Sequence, residues 1–164
     1  MEIIVGIGEM AVSSKPEDRI KTFALASCVG LVLYSAECPL LGLAHVALPE
    51  SRAVPGEAVK RPGKFADTAV TALLKEFYLH GCQNDLIRAR LYGAVQNPNM
   101  DFYRIALRNL ESLKSNLSRS RIRVAAEETG GLEARTITAH VSDGRVEVVR
   151  TPLLVYTSLK QKDK

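Results

Sequence analysis

Val29-Gly30-Leu31-Val32-Leu33-Tyr34, followed beyond a turn at Glu37-Cys38-Pro39 by Leu41-Gly42-Leu43-Ala44-His45-Val46-Ala47-Leu48, decides how the rest of this chain is read. Both runs are apolar and β-branched, short, and bounded by turn residues, so together they predict a buried hairpin. Upstream, Glu2 to Ser13 reads as one or two short strands with a tight bend at Gly6 and Gly8, and Ser14-Lys15-Pro16-Glu17-Asp18 as a loop. Downstream, Pro49 to Gly63 carries three prolines and two glycines and predicts a long connection of the functional or mobile kind.

Two helices follow from periodicity. Ala66, Ala69, Val70, Leu73, Leu74 and Phe77 recur at helical spacing with Gly81 as a stop, which predicts a helix over 64–80. Phe102, Ala106, Leu110, Leu113 and Leu117 predict a second over 101–117, with Asn99 or Asp101 as its N-cap. Between them Leu86 to Tyr92 alternates as a strand with Arg88 and Arg90 on one face. The last third reads as β: Arg121 to Ala125 alternates, and Ala134–Ser142 pairs with Arg145–Arg150 across Asp143-Gly144. These elements predict an α/β (α+β) fold, a layered sandwich of mixed β-sheets with two principal helices. One domain is expected over 1–157, with 158–164 a frayed basic tail.

Composition narrows the class. The chain has 164 residues, 46% of them hydrophobic and 24% charged, values that exclude a disordered chain, a coiled coil or a fibre. The net charge of +4 permits an acidic partner, but without Trp and with few aromatics there is little on which nucleic-acid bases would stack. No apolar run approaches the length of a membrane span, and a cytoplasmic protein that inserts in no membrane is expected. Three cysteines, Cys28, Cys38 and Cys82, without Cys/His clustering at zinc spacing predict reduced thiols and no metal or other cofactor.

Nucleophilic chemistry needs a thiolate, a base and a group that orients the base. Three cysteines and the histidines His45, His80 and His140 make several dyads, and spacing alone chooses none of them. Cys38 beside Pro39 and Cys82 after a helix stop read as incidental thiols. Cys28 ends a run of small residues, Ala24, Ala26 and Ser27, just before a strand, where backbone N–H groups suit an oxyanion; the competing reading is a small buried hydrophobe. His45 reads as a core strand residue, His80 as a helix C-terminal cap, and His140 as exposed. Arg119, Arg121 and Arg123 with Arg88 and Arg90 form either a basic docking face or a solvated face with scattered ion pairs. Glu127 and Glu128 read as structural.

Four ordered blocks then carry a resemblance: Gly6-Ile7-Gly8-Glu9-Met10-Ala11-Val12, Leu25-Ala26-Ser27-Cys28-Val29, Ala44-His45-Val46-Ala47-Leu48-Pro49 and Gly63-Lys64-Phe65-Ala66-Asp67-Thr68-Ala69-Val70. With weaker matches at Arg108-Asn109 and Thr129-Gly130-Gly131, the chain resembles the CheD family of chemoreceptor glutamine deamidases over about residues 2–150. The resemblance implies a layered fold like that of toxin deamidases. It also implies a nucleophile at Cys28, a histidine at His45, a completing threonine at Thr22, and an oxyanion loop at Ser27 and Ala26. Its implied substrates are glutamine side chains on the cytoplasmic domains of methyl-accepting chemoreceptors, with the phosphatase CheC as partner in species that have one; a monomer is the default. Ala24 and Ala26 stand where the family carries glycines, as do Tyr92 in Tyr92-Gly93-Ala94 and Ala106 before Arg108-Asn109, and Glu128 replaces the aspartate before Thr129-Gly130-Gly131. A docking module of the same fold with little catalysis, and a small cysteine protease or acyltransferase, are the competing functions.

Overall fold

The computed structural model describes residues 1–153; the expected tail over 158–164 lies outside them. The predicted hairpin forms, with β4 (Val29–Ser35) antiparallel to β5 (Leu40–Val46), and β5 is buried along its whole length. It is the centre of a five-stranded mixed sheet completed by β2 (Met10–Ser13), β6 (Arg88–Gly93) and β7 (Arg123–Thr129), in the order β2-β5-β4-β6-β7. A second sheet has the order β1-β3-β8-β9, from β1 (Glu2–Ile4), β3 (Arg19–Leu25), β8 (Glu133–His140) and β9 (Val146–Pro152). The Asp143-Gly144 hairpin joins β8 to β9 as expected, with Gly144 at φ +72°.

The helices α1 (Pro55–Lys60), α2 (Ala66–Leu79) and α3 (Tyr103–Arg119) complete the described regular elements together with two 3-10 turns. Successive side chains of β4 point to opposite faces. Val29, Leu31 and Leu33 join the apolar faces of α2 and α3, whereas Val32 joins Leu41, Leu43, Ile20 and Ile137 between the sheets. The layers therefore run helices, five-stranded sheet, four-stranded sheet, with a separate core on each side of the middle layer. No helix among the described residues is long and apolar enough to cross a membrane.

Several expectations are corrected. Cys38 and Cys82, expected as reduced thiols, are joined as a disulfide that ties the β4–β5 turn to the end of α2; Cys28 is the free cysteine. The apolar packing of α2 on the sheet brings the residue after its stop against the hairpin turn, a proximity that sequence spacing does not express. Helix α3 starts at Tyr103 with Phe102 as N-cap and no side-chain cap, because Asn97 Oδ1 and carbonyl close a turn onto Asn99 and Met100 before the helix begins. His140 is half-buried, 3.5 Å from Glu147, since β8 lies between β3 and β9. Of the five arginines, Arg90 donates to the Gly144 carbonyl in the β8–β9 turn, and Arg88 to the carbonyls of Asp85 and Ile87. The connection 49–63 contains α1 and a 3-10 turn. Glu127 pairs with Lys114, and Glu128 with Arg135 and Arg150, the structural roles expected.

Candidate active site

The strand β3 is where the site begins. It runs parallel to β1 and antiparallel to β8, and its pairing slips between Thr22 and Leu25. Ala24 sits in the slip at φ +51°, and its N–H donates to Thr136 Oγ1 at 3.0 Å rather than to the ladder. A bulge of this kind bends a strand and re-aims the residues after it. Here it turns the chain out of the second sheet into the Ala26-Ser27-Cys28 bend and back into the first sheet at β4. One short segment thus carries Thr22 on one layer and Cys28 at the edge of the next.

Thr22 and His45 meet between the sheets. Thr22 is fully buried and His45 nearly so, with Thr22 Oγ1 2.6 Å from His45 Nδ1 and 2.7 Å from the Val5 carbonyl. A hydroxyl has one hydrogen; given to the Val5 carbonyl, it leaves the Thr22 oxygen as acceptor, so Nδ1 carries the imidazole proton. Nε2 is then the lone-pair nitrogen. That atom is buried and has no hydrogen-bond partner among the described residues, Cys28 included. The backbone of His45 is held as firmly, its carbonyl accepting from Gly8 at 2.9 Å and its N–H donating to the Glu9 carbonyl at 3.0 Å.

Cys28 is half-buried and packs against the core between the sheets, the side on which His45 lies opposite Gly30 in the β4–β5 register. Its loop is anchored through its carbonyls. The Ala26 carbonyl accepts from Val95 at 2.7 Å and the Cys28 carbonyl from Ala94 at 3.0 Å. The Ser27 carbonyl accepts from Asn109 Nδ2 at 3.0 Å. The N–H groups of Ala26, Ser27 and Cys28 donate to nothing among the described residues. The close approach behind this loop needs a glycine: Gly93, at φ +108°, lies so near that a Cβ there would collide with the Cys28 carbonyl oxygen and sit 2.9 Å from Leu25 Cβ.

Burial sets the electrostatics. It raises the Cys28 thiol above its ordinary value, opposed by a hydrogen bond from the Ser27 side chain, and lowers His45 to about 4. Near neutral pH the two groups are therefore a thiol and a neutral imidazole rather than an ion pair. A neutral thiol and a neutral imidazole form an ion pair only when the proton passes from sulfur to nitrogen.

The sequence reading named Cys28, His45, Thr22, Ser27 and Ala26, and the structure brings them to one end of the space between the sheets. His80 caps α2, its Nδ1 2.8 Å from the Glu76 carbonyl, and belongs to no site. Val5 and Asn109 are the site's contributors that sequence reasoning did not assign. Val5 acts through its carbonyl and has no residue-type signal; Asn109 had one, a polar residue on the apolar stripe of α3.

Comparison with known proteins assigns the chain to a family. The model of the family described as CheD chemotactic sensory transduction matches residues 47–150. The chain is 37% identical over 150 residues to a "Probable chemoreceptor glutamine deamidase CheD" of Syntrophotalea carbinolica, covering 90% of this chain and 93% of that one. A protein of the same name from Archaeoglobus fulgidus is 39% identical over 150 residues, covering 90% of this chain and 92% of the other. The chain belongs to the CheD family. Alignments of that extent take in the segment carrying Thr22, Cys28 and His45, which lies ahead of the residues the family model matches. Among solved structures, that of the Bacillus licheniformis hypothetical protein YfiH superposes with a TM-score of 0.45 at 14% identity, covering 74% of this chain and 49% of that one.

Proposed function

We propose that this CheD-family chain is a chemoreceptor glutamine deamidase working through Cys28, His45 and Thr22. The observation that carries the reading is the Val5–Thr22–His45 chain of hydrogen bonds, which leaves an unpartnered, proton-accepting Nε2 in the space that Cys28 borders. As Cys28 Sγ bonds to the carboxamide carbon of a receptor glutamine, its proton passes to His45 Nε2 and the carbonyl electrons move to oxygen. Backbone N–H groups of Ser27 and Cys28 stabilise that oxyanion. The imidazolium returns the proton to the leaving nitrogen, ammonia departs and a thioester remains. Water then attacks with His45 again as base, and collapse releases glutamate and the Cys28 thiol.

Because the resting pair is neutral, Thr22 has two tasks. It holds the tautomer that leaves Nε2 free, and its oxygen stabilises the imidazolium that forms transiently. The cytoplasmic setting and a CheC-type phosphatase partner belong to the same reading. The test is mass spectrometry of a purified chemoreceptor cytoplasmic domain incubated with the wild-type protein or Cys28→Ala, scoring Gln-to-Glu conversion and ammonia. Conversion at specific glutamines by the wild type alone is expected; conversion by neither, with binding retained by both, refutes the enzyme.

A further inference from the structure

Asn109 is fully buried on the sheet-facing side of α3, a helix otherwise anchored there by Ala106, Leu110, Leu113 and Leu117. Its amide nitrogen donates twice, to the Ser27 carbonyl at 3.0 Å and to the Ala47 carbonyl at 3.1 Å. Two carbonyl neighbours require the NH2 group at that position, so the amide's orientation is set by its partners. The cost is visible: Oδ1 is buried with no partner among the described residues. A buried unsatisfied acceptor is expensive, and an apolar residue on this stripe would carry none. The position therefore retains something only two N–H donors supply.

Peptide geometry defines that contribution. No peptide bond of the described residues is cis, and in a planar trans peptide the carbonyl of one residue and the N–H of the next point in opposite directions. Drawing the Ser27 carbonyl toward α3 aims the Cys28 N–H the opposite way, off the helix layer, while the Cys28 side chain packs against the core between the sheets. The second bond fixes the Ala47 carbonyl, two residues beyond His45, to the same amide. One side chain thus sets the spacing between the loop of the nucleophile and the strand end of the base.

We infer that Asn109 is a positioning residue which, by holding the Ser27–Cys28 peptide, aims the Cys28 N–H at the oxyanion of the proposed reaction. The inference rests on the deamidase reading for its chemistry, and its test separates the two. Acylation of Cys28 by p-nitrophenyl acetate passes through a tetrahedral oxyanion. Alkylation of the same sulfur by iodoacetamide does not, although both need the thiolate. Both rates are followed by mass on Cys28 in the wild type, Asn109→Leu and Asn109→Ala, with Cys28→Ala subtracting other nucleophiles. Asn109→Ala leaves room for a water against the two carbonyls and keeps the experiment open where Asn109→Leu does not fold.

Acylation is expected to fall at least ~10-fold and receptor glutamine conversion about 100-fold, the scale of losing an oxyanion donor, while alkylation and its pH dependence stay within about twofold. A purely structural role moves acylation and alkylation together, and that result, or no change in either, overturns the inference. A wild type that converts no receptor glutamine refutes the deamidase, while the acylation-to-alkylation ratio still decides for or against Asn109.

Discussion

Gly93→Ala is the sharpest single perturbation of the scaffold behind the site. Gly93 ends β6 at φ +108°, outside the conformations an L residue tolerates, and strain of that kind costs about 1–3 kcal/mol. A methyl there also lies 2.9 Å from Leu25 Cβ and collides with the Cys28 carbonyl oxygen, which is backbone. Backbone does not swing aside as a flexible side chain does. Relief requires the Ala26–Cys28 loop to retreat, which strains the bonds to Ala94 and Val95 at 3.0 and 2.7 Å. Losing one such bond adds about 1 kcal/mol. The expected total is about 3 kcal/mol, which for a chain of this size lowers Tm by roughly 6–12 °C. Differential scanning fluorimetry reads the Tm, and iodoacetamide alkylation of Cys28 reads the displacement of its loop. A variant melting within about 2 °C of the wild type with an unchanged alkylation rate would refute the argument that Gly93 is there for close approach.

Reduction of the Cys38–Cys82 disulfide, which spans 44 residues, is expected to remove up to about 4 kcal/mol by loop entropy, read as a lower urea midpoint with dithiothreitol that Cys38→Ser/Cys82→Ser reproduces without it. Ala24→Gly relieves a left-handed alanine, φ +51°, that costs about 1–2 kcal/mol, against roughly 0.5–1 kcal/mol of added unfolded-chain entropy, so a Tm gain of about 1–2 °C is expected and a fall counts against the bulge argument. His45, lowered to about 4 from 6.5 by burial, takes up its proton more readily unfolded than folded; its contribution is whole above pH 6.5 and is lost as pH falls toward 4, the loss reaching about 2 kcal/mol by pH 5. Urea titrations at pH 7 and pH 5 on the wild type and His45→Gln check this, and an equal acid loss in both would sink it. For the proposed reaction, the acid limb of kcat/KM is expected well below pH 6, and a limb at 6.5 would contradict the buried, neutral base.

The elements legible in the sequence were those whose pattern is local. The β4–β5 and β8–β9 hairpins announced themselves by apolar runs around turn residues, and α2 and α3 by their stripes; both helices start about two residues later than their periodicity suggests. The strand β3 was not read, because its alternation breaks at the exposed Phe23 and Ala24, where the bulge lies. The partition of β1 and β2 between two sheets is a tertiary fact that their few residues do not encode. Cys28 and His45 stood out as chemical types, but Thr22 is one buried threonine on a strand and entered through family resemblance alone. Only the structure gives it a physical role, through the Val5 carbonyl that settles where its hydrogen goes. The disulfide was missed for a related reason: pairing depends on where α2 ends relative to the hairpin turn.

The two features that look unfavourable for catalysis are complementary when taken together. Burial holds Cys28 as a thiol and His45 as a neutral imidazole, so the free protein carries no charge on this pair that substrate binding must strip of water. The bend of Ala26, Ser27 and Cys28 meanwhile spends its three carbonyls on Val95, Asn109 and Ala94 and leaves three successive N–H groups undonated among the described residues. Donors fixed in place cost no reorganisation when charge appears, and in a dry site they are worth more than they would be in water. For the proposed reaction, desolvation therefore penalises the resting thiolate, whose charge sits on sulfur before any substrate arrives, more than a tetrahedral oxyanion met by fixed donors. In the proposed reaction, the same burial that makes Cys28 a poor free nucleophile favours a carbonyl brought to that bend, and Ala24, Gly93 and Asn109 are the positions at which the fold holds the bend in place.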